Sequence, residues 1–442
     1  MDTQNKNTTK ALLDFIKDSP TAFQATANIA KILEDNGFRE IVEGTSYAVE
    51  AGGSYYITRN TSALIAFKIP KEFAPSYSLI ASHADSPTFK IKEHPERKGS
   101  AYTVLSTEAY GGTIVSTWLD RPLSIAGRAV VAEEKDGKRI IKSRPFSFDR
   151  DLVLIPNAAI HLQRKINEGY AYQMTSDMLP LFSQNKEGQD ITLHKMIADL
   201  LSVSEDDLLS FDAYLYNRTA GVLFGADEEF FAAPRIDNLQ CAYGSLQGFL
   251  EAKEHQNITV FAIFDNEETG SATRMGAASA FLYETLSEVA RQLGIDGRAA
   301  MNSSFLVSAD NAHALHPNRS DLADTANAPV LNGGPVIKHQ ASQRYATEAL
   351  AYATLADIFN KAGIPVQTYA NRSDLPGGST LGCIAATRLG MVTADIGMPQ
   401  LAMHSAYETA GTADTDLLIQ ACRAFYEADA FASRDGEISF RR

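Results

Sequence analysis

Five separate segments of this 442-residue chain place a histidine or an acid beside an apolar run. His83-Ala84-Asp85 follows SLIAS (78–82), and Asp265, Glu267 and Glu268 follow ITVFAIF (258–264). Asp310 follows SFLVSA (304–309). His404 lies in QLAMHSAYE, downstream of the apolar run 391–397, and Asp237 opens a predicted helix in PRIDNL (234–239). Mixed nitrogen and oxygen donors of this kind suit Zn²⁺, Mn²⁺ or Co²⁺. Taken singly, each motif has an ordinary reading. H-x-D is common on surfaces, Asp237 could be a helix cap, and Glu267-Glu268 could be a helix start favoured by the dipole. His404 alone could be an ordinary satisfied polar side chain. Taken together, the carboxylates would crowd and repel, and a divalent cation removes that cost. Spacing does not decide which of Glu267 and Glu268 is the ligand. The one left off the metal is free to move a proton.

The elements that must bring these segments together read as strand-then-helix. The apolar strands around 257–264, 303–309 and 391–397 alternate with helical patterns such as 346–363. That alternation predicts an α/β layer fold with a mainly parallel sheet, whose ligands gather at the carboxyl ends of its strands. The stretch 93–233 has a different texture, with a hairpin around Asp136-Gly137 and an amphipathic helix at 193–203. It reads as an inserted β-rich domain, leaving 1–92 plus 234–442 as the catalytic domain. At the start, Leu12, Leu13, Phe15 and Ile16 predict one helix. Ser19-Pro20 reads as the cap and first turn of a second, and Gly37 as its stop.

Composition narrows the field. At 45% hydrophobic and 21% charged, the chain can bury a large core, and roughly 150 residues per domain predicts two or three domains. A net charge of −14 opposes a polyanionic partner, so nucleic-acid binding is not expected. No apolar run approaches the roughly 20 residues of a membrane helix, and the polar MDTQNKNTTK lacks a secretory signal's apolar core. Cys241, Cys383 and Cys422 are far apart and odd in number, which fits neither a disulfide framework nor a C-x-x-C zinc site. A reducing, cytoplasmic compartment is the expectation.

The motifs SHADSPTFKIK, WLDRPLSIAGR, PNAAIHLQRKIN, PRIDNLQ, DNEETGS, SADNAHALHPN, GGPVIKHQASQRYA and PQLAMHS occur in this order across almost the whole chain. Together they closely resemble the aspartyl aminopeptidase family of dinuclear metallopeptidases. The resemblance implies two divalent ions per subunit, Zn²⁺ first, with Mn²⁺ or Co²⁺ as alternatives. It implies that His83 and Asp310 hold one ion, that Glu268 and His404 hold the other, and that Asp237 bridges them. By the same resemblance Asp85 orients His83, and Glu267 is the general base. Lys338, Tyr345 and His161 match positions around the substrate, with His161, in a segment whose local pattern predicts a helix, completing a neighbouring subunit's site. The segment SDLPGGSTLG (373–382) is similar to the family's substrate loop. The implied activity is removal of N-terminal Asp or Glu from peptides by a homo-oligomer, a tetrahedral dodecamer. A dinuclear aminopeptidase or amidohydrolase of neutral or broad specificity, and a non-catalytic assembly protein keeping the fold, are the rival readings.

Overall fold

The computed structural model describes residues 2–188, 191–253 and 255–441. Its largest sheet has nine strands, and its centre is parallel. Ala74–His83 lies between Asn257–Phe264 and Phe305–Ala309, and Val392–Gly397 follows, all running the same way. Antiparallel pairs flank this centre. Ala63–Lys68 runs against Asn257–Phe264, and Val336–His339 runs against Val392–Gly397. The sheet is therefore mixed, with parallel order confined mostly to the strands that carry the acids and His83.

Alternation along the strands explains why these segments read as continuous apolar runs. In Asn257–Phe264, Ile258, Val260, Ala262 and Phe264 point into one core, while Phe261 and Ile263 point into the other. The first core packs beneath the helices Phe281–Leu293 and Leu381–Leu389, the second beneath Thr3–Asp18, Ile236–Glu251 and Asp414–Glu427.

Between Ala74–His83 and Asn257–Phe264 the chain builds a six-stranded antiparallel sheet from strands within residues 88–217. Its strand Thr88–Lys98 spans residue 93. A third core, including Phe89, Trp118, Ile125 and Phe211, fills it. The Asp136-Gly137 turn takes φ +52° and +71°, the left-handed pair that a two-residue hairpin needs. Arg128 fastens this sheet to the large one. It donates to both the carbonyl and the side-chain oxygen of Asn60 at 3.0 Å and to Asp212 at 2.9 Å.

A small five-stranded sheet had no counterpart in the sequence reading. It joins Val222–Phe224, Phe230–Ala233, Glu408–Gly411, Pro399–Leu401 and Ala312–His313. It draws the segments around Asp237, Asp310 and His404 together. Two local expectations are corrected. The second helix starts at Ala22, capped by the Thr21 hydroxyl that accepts from the Phe23 N–H at 3.3 Å, whereas Ser19 closes the first helix. His161, expected in a helix, lies in an exposed turn. No helix among the described residues is long and apolar enough to cross a membrane.

Candidate metal centre

His83 ends its strand beside the site, with its ring almost wholly buried. Its Nδ1 faces the Asp85 carbonyl at 3.1 Å and the Asp85 carboxylate at 3.4 Å, which turns Nε2 inward. That Nε2 lies 3.6 Å from Asp237 Oδ1 and 3.5 Å from Asp310 Oδ1. On the other side, His404 Nε2 lies 3.3 Å from Asp237 Oδ2 and 3.4 Å from Glu268 Oε2. Asp237 thus offers one oxygen to each histidine. Glu267 joins a third group with His83 and Glu268, but neither group that contains Asp237.

These separations exceed ordinary N–H···O bonds. Ligands about 2.0–2.2 Å from a tetrahedral ion stand about 3.4 Å from one another, which is the spacing found here. Asp237 Oδ1 and Glu268 Oε1 are also buried with no hydrogen-bond partner. Buried carboxylate oxygens without donors are costly, and a cation in each gap would satisfy them. The donor set therefore fits divalent metal.

The surrounding turns hold these groups in place. The Asp85 carboxylate accepts from the backbone N–H groups of Glu267 at 3.2 Å and Glu268 at 3.1 Å. The Tyr110 hydroxyl donates to it at 2.7 Å and accepts from the Asn266 amide at 2.8 Å. Asn266 sits at φ +61°, which lets the chain turn directly from strand into acids. Gly111, at φ +72°, comes so close that a Cβ there would sit 3.0 Å from Glu268 Cβ. The Gly112 carbonyl faces His404 Nδ1 at 2.8 Å. Glu408 is buried and accepts from the N–H of His404 at 2.8 Å and of Asp237 at 3.1 Å, bracing both.

Electrostatics follow from this crowding. Burial and the neighbouring acids push Glu267 up to about 8, against the lowering effect of His83. Glu408 is likewise raised to about 8, chiefly by burial and then by Asp237. Burial alone would raise Asp310, yet Lys338 and His83 hold it at about 2.

A cleft of about 910 Å³ opens onto the cluster. His83, Asp237, Glu267, Glu268, Asp310 and His404 form its floor, and Lys338, Tyr345 and Gly378–Thr380 its wall. Lys338 is buried, donates to the carbonyls of Asp310 at 2.7 Å and Asn311 at 3.1 Å, and lies 5.1 Å from the Tyr345 ring centre. His161 does not line this cleft. Sequence reasoning missed Tyr110, Gly111, Gly112 and Glu408. Glu408 closes the very motif QLAMHSAYE in which His404 was singled out, so an acid four residues on was the available signal. Tyr110 and the glycines gave none.

Comparison with known proteins agrees with this geometry. Residues 15–426 match the family described as Aminopeptidase I zinc metalloprotease (M18). A probable M18 family aminopeptidase 2 of Clostridium acetobutylicum is 40% identical over 94% of this chain and 98% of its own length. A Pseudomonas aeruginosa protein of the same name is 38% identical over 94% of this chain and 97% of its own length. Among solved structures, Ape4 in its complex with Nbr1 superposes with a TM-score of 0.92 at 34% identity, covering 97% of this chain and 87% of that one. The Thermotoga maritima M18 aminopeptidase shares the fold, with a TM-score of 0.84 at 23% identity over 97% of both chains. A cluster of histidines and carboxylates spaced for metal, set in a chain that matches zinc aminopeptidases from near end to end, makes this protein a metal-dependent aminopeptidase of the M18 family.

Proposed function

We propose that this aminopeptidase works with two divalent ions and prefers peptides that begin with Asp or Glu. The carrying observation is Asp237, whose two oxygens each face a different histidine at 3.6 and 3.3 Å. His83 and Asp310 would hold one ion, Glu268 and His404 the other, and Asp237 both. Zn²⁺ is the first choice, with Mn²⁺ or Co²⁺ able to replace it. When bound, the ions would polarise the scissile carbonyl and acidify the attacking water.

The chain's own groups supply the rest. Glu267, outside both Asp237 groups and raised to about 8, takes a proton on its carboxylate from the attacking water. It then returns that proton to the leaving amine nitrogen. Asp85 fixes His83 and the Glu267–Glu268 backbone, so the base does not drift from the water. Lys338 in the cleft wall is the cation that an acidic side chain would meet, beside Tyr345.

One observation favours the second reading, a neutral or broad specificity. Lys338 already donates to two backbone carbonyls, which leaves less of its charge for a substrate. We further assign 93–233 to an assembly domain of a homo-oligomer, in which His161 completes a neighbour's cleft. The exposure of Ile160 at 47% and Leu162 at 84% beside His161 supports a buried fate for that turn. A related fold has been solved as the S. cerevisiae mApe1 dodecamer, and a dodecamer is the assembly proposed here. A cytoplasmic setting is proposed too, in keeping with three free cysteines.

Metal analysis and a panel of aminoacyl substrates test the catalytic reading. Chelation abolishes activity, and Zn²⁺, Mn²⁺ or Co²⁺ restores it. Two ions per subunit and faster cleavage of Asp and Glu substrates are expected. One ion per subunit rejects the dinuclear reading, and faster cleavage of neutral residues selects the second specificity. For assembly, mixing inactive His161→Phe and Glu267→Gln proteins under subunit exchange restores activity. No recovery rejects the shared cleft.

A further inference from the structure

Two of the segments that wall the cleft carry Tyr345 and Gly378–Thr380. Both are tied to a single buried carboxylate that lies outside the ligand cluster. Asp395, in the strand Val392–Gly397, has no solvent exposure. Its Oδ2 accepts from the Ala346 N–H at 2.5 Å, one residue beyond Tyr345. Its Oδ1 accepts from the Thr380 hydroxyl at 2.5 Å. Its own N–H donates to the Thr347 hydroxyl at 2.8 Å. A Cβ on Gly382 would lie 2.5 Å from Oδ1, so the second segment packs down onto the carboxylate.

Thr380 makes the arrangement more than packing. It is the N-cap residue of the helix Leu381–Leu389, yet its side chain makes no capping bond. An N-cap threonine ordinarily spends its hydroxyl on its own helix. Here the hydroxyl goes to Asp395 instead, and local helix stability is given up for a long-range tie. The two segments also meet directly, Thr380 N–H to Arg344 carbonyl at 3.3 Å. A Cβ on Gly378 would come 3.9 Å from the Tyr345 hydroxyl, so the tie sets the gap across which Tyr345 faces the loop.

We infer that Asp395 is a positioning residue for substrate binding, clamping the Tyr345 segment and the 378–380 loop into one wall of the cleft. It touches neither substrate nor metal ligand, and acts by fixing the width of the pocket for the substrate's first residue. The inference rests on the reading of this cleft as the aminopeptidase site.

The test uses full-length protein, metal-loaded, with the aminoacyl substrate that the unaltered enzyme cleaves best. Thr380→Val removes one arm of the clamp and raises KM about tenfold, the worth of one lost hydrogen bond. Metal content stays the same, and kcat falls less than KM rises. Thr380→Ser keeps the hydroxyl and returns KM towards the unaltered value. Asp395→Asn raises KM at least as much, and the double variant is no worse than Asp395→Asn alone. If Asp395→Asn does not fold, the two Thr380 variants decide. Lost metal, a fall in kcat with KM unchanged, or no difference between Val and Ser overturns the clamp. If the unaltered protein cleaves no aminoacyl substrate, the reading of the cleft fails instead.

Discussion

Tyr110→Phe removes one oxygen atom from a residue that touches no metal ligand side chain, yet it should weaken metal binding. The hydroxyl donates to Asp85 at 2.7 Å and accepts from Asn266 at 2.8 Å. Without it the Asp85 carboxylate keeps the Glu267 and Glu268 N–H groups, at 3.2 and 3.1 Å, and the longer contact with His83 Nδ1 at 3.4 Å. Asn266 keeps a weaker contact with Asp265 at 3.3 Å. A hydrogen bond to a charged group contributes about 1.5–3 kcal/mol. Loss of a partner that orients metal ligands typically costs about 10–100-fold in affinity, or about 1.4–2.8 kcal/mol, so the two estimates agree. Zinc affinity is read by competition with a chromophoric chelator, and kcat/KM is then measured at saturating zinc. Thermal unfolding in excess chelator reports the cost to the fold separately. Zinc affinity equal to that of the unaltered protein would refute the argument that Asp85 and Tyr110 hold the acidic turn.

Glu267→Gln should bind metal normally and lose about 10²–10⁴ in kcat, as expected for a lost proton-transfer group; loss of a metal ion from this variant would make Glu267 a ligand. Gly111→Ala should cost more activity than Gly137→Ala. Both positions lie at positive φ, +72° and +71°, so both variants carry similar backbone strain, but only the first meets a neighbour, Glu268, within 4 Å. Equal losses, by kcat/KM and zinc content, would remove the steric argument. Asp212→Asn should destabilise the fold by about 1 kcal/mol at neutral pH, since Asp212 is partly exposed. Burial would raise Asp212, but Lys90 and Arg128 hold it below its ordinary value of 3.8. A depressed folded pKa gives stability that is present above the unfolded value and lost as pH falls through the folded one. The gap in urea midpoint between the variant and its parent should therefore shrink below about pH 4, and a gap independent of pH would reject the ion pairs as its source.

What the sequence made legible, and what it hid, divides along a physical line. The strands that carry His83, Glu267, Glu268 and Asp310 are buried on both faces, so each reads as an unbroken apolar run, and the polar residue that ends it stands out. The hairpin at Asp136-Gly137 was legible because its turn needs left-handed backbone, which few residues adopt. Ser19-Pro20 misled because Thr21 offers the same capping chemistry two residues later, and the proline is accommodated before the cap rather than after it. The five-stranded sheet was invisible because its strands are two to four residues long and drawn from distant parts of the chain. No local period survives at that length. The same holds for the residues that orient the site. Tyr110 ends the strand Tyr102–Tyr110 and Gly112 lies just beyond it, far in sequence from most of the ligands they help to hold, while Glu408 was signalled only by standing four residues after His404. Ligands announce themselves because a strand must end in them. The groups that aim them are found only once the sheets are folded, and so Asp395, a carboxylate inside an apolar strand of the large sheet, is the kind of residue where sequence reading ends and structure begins.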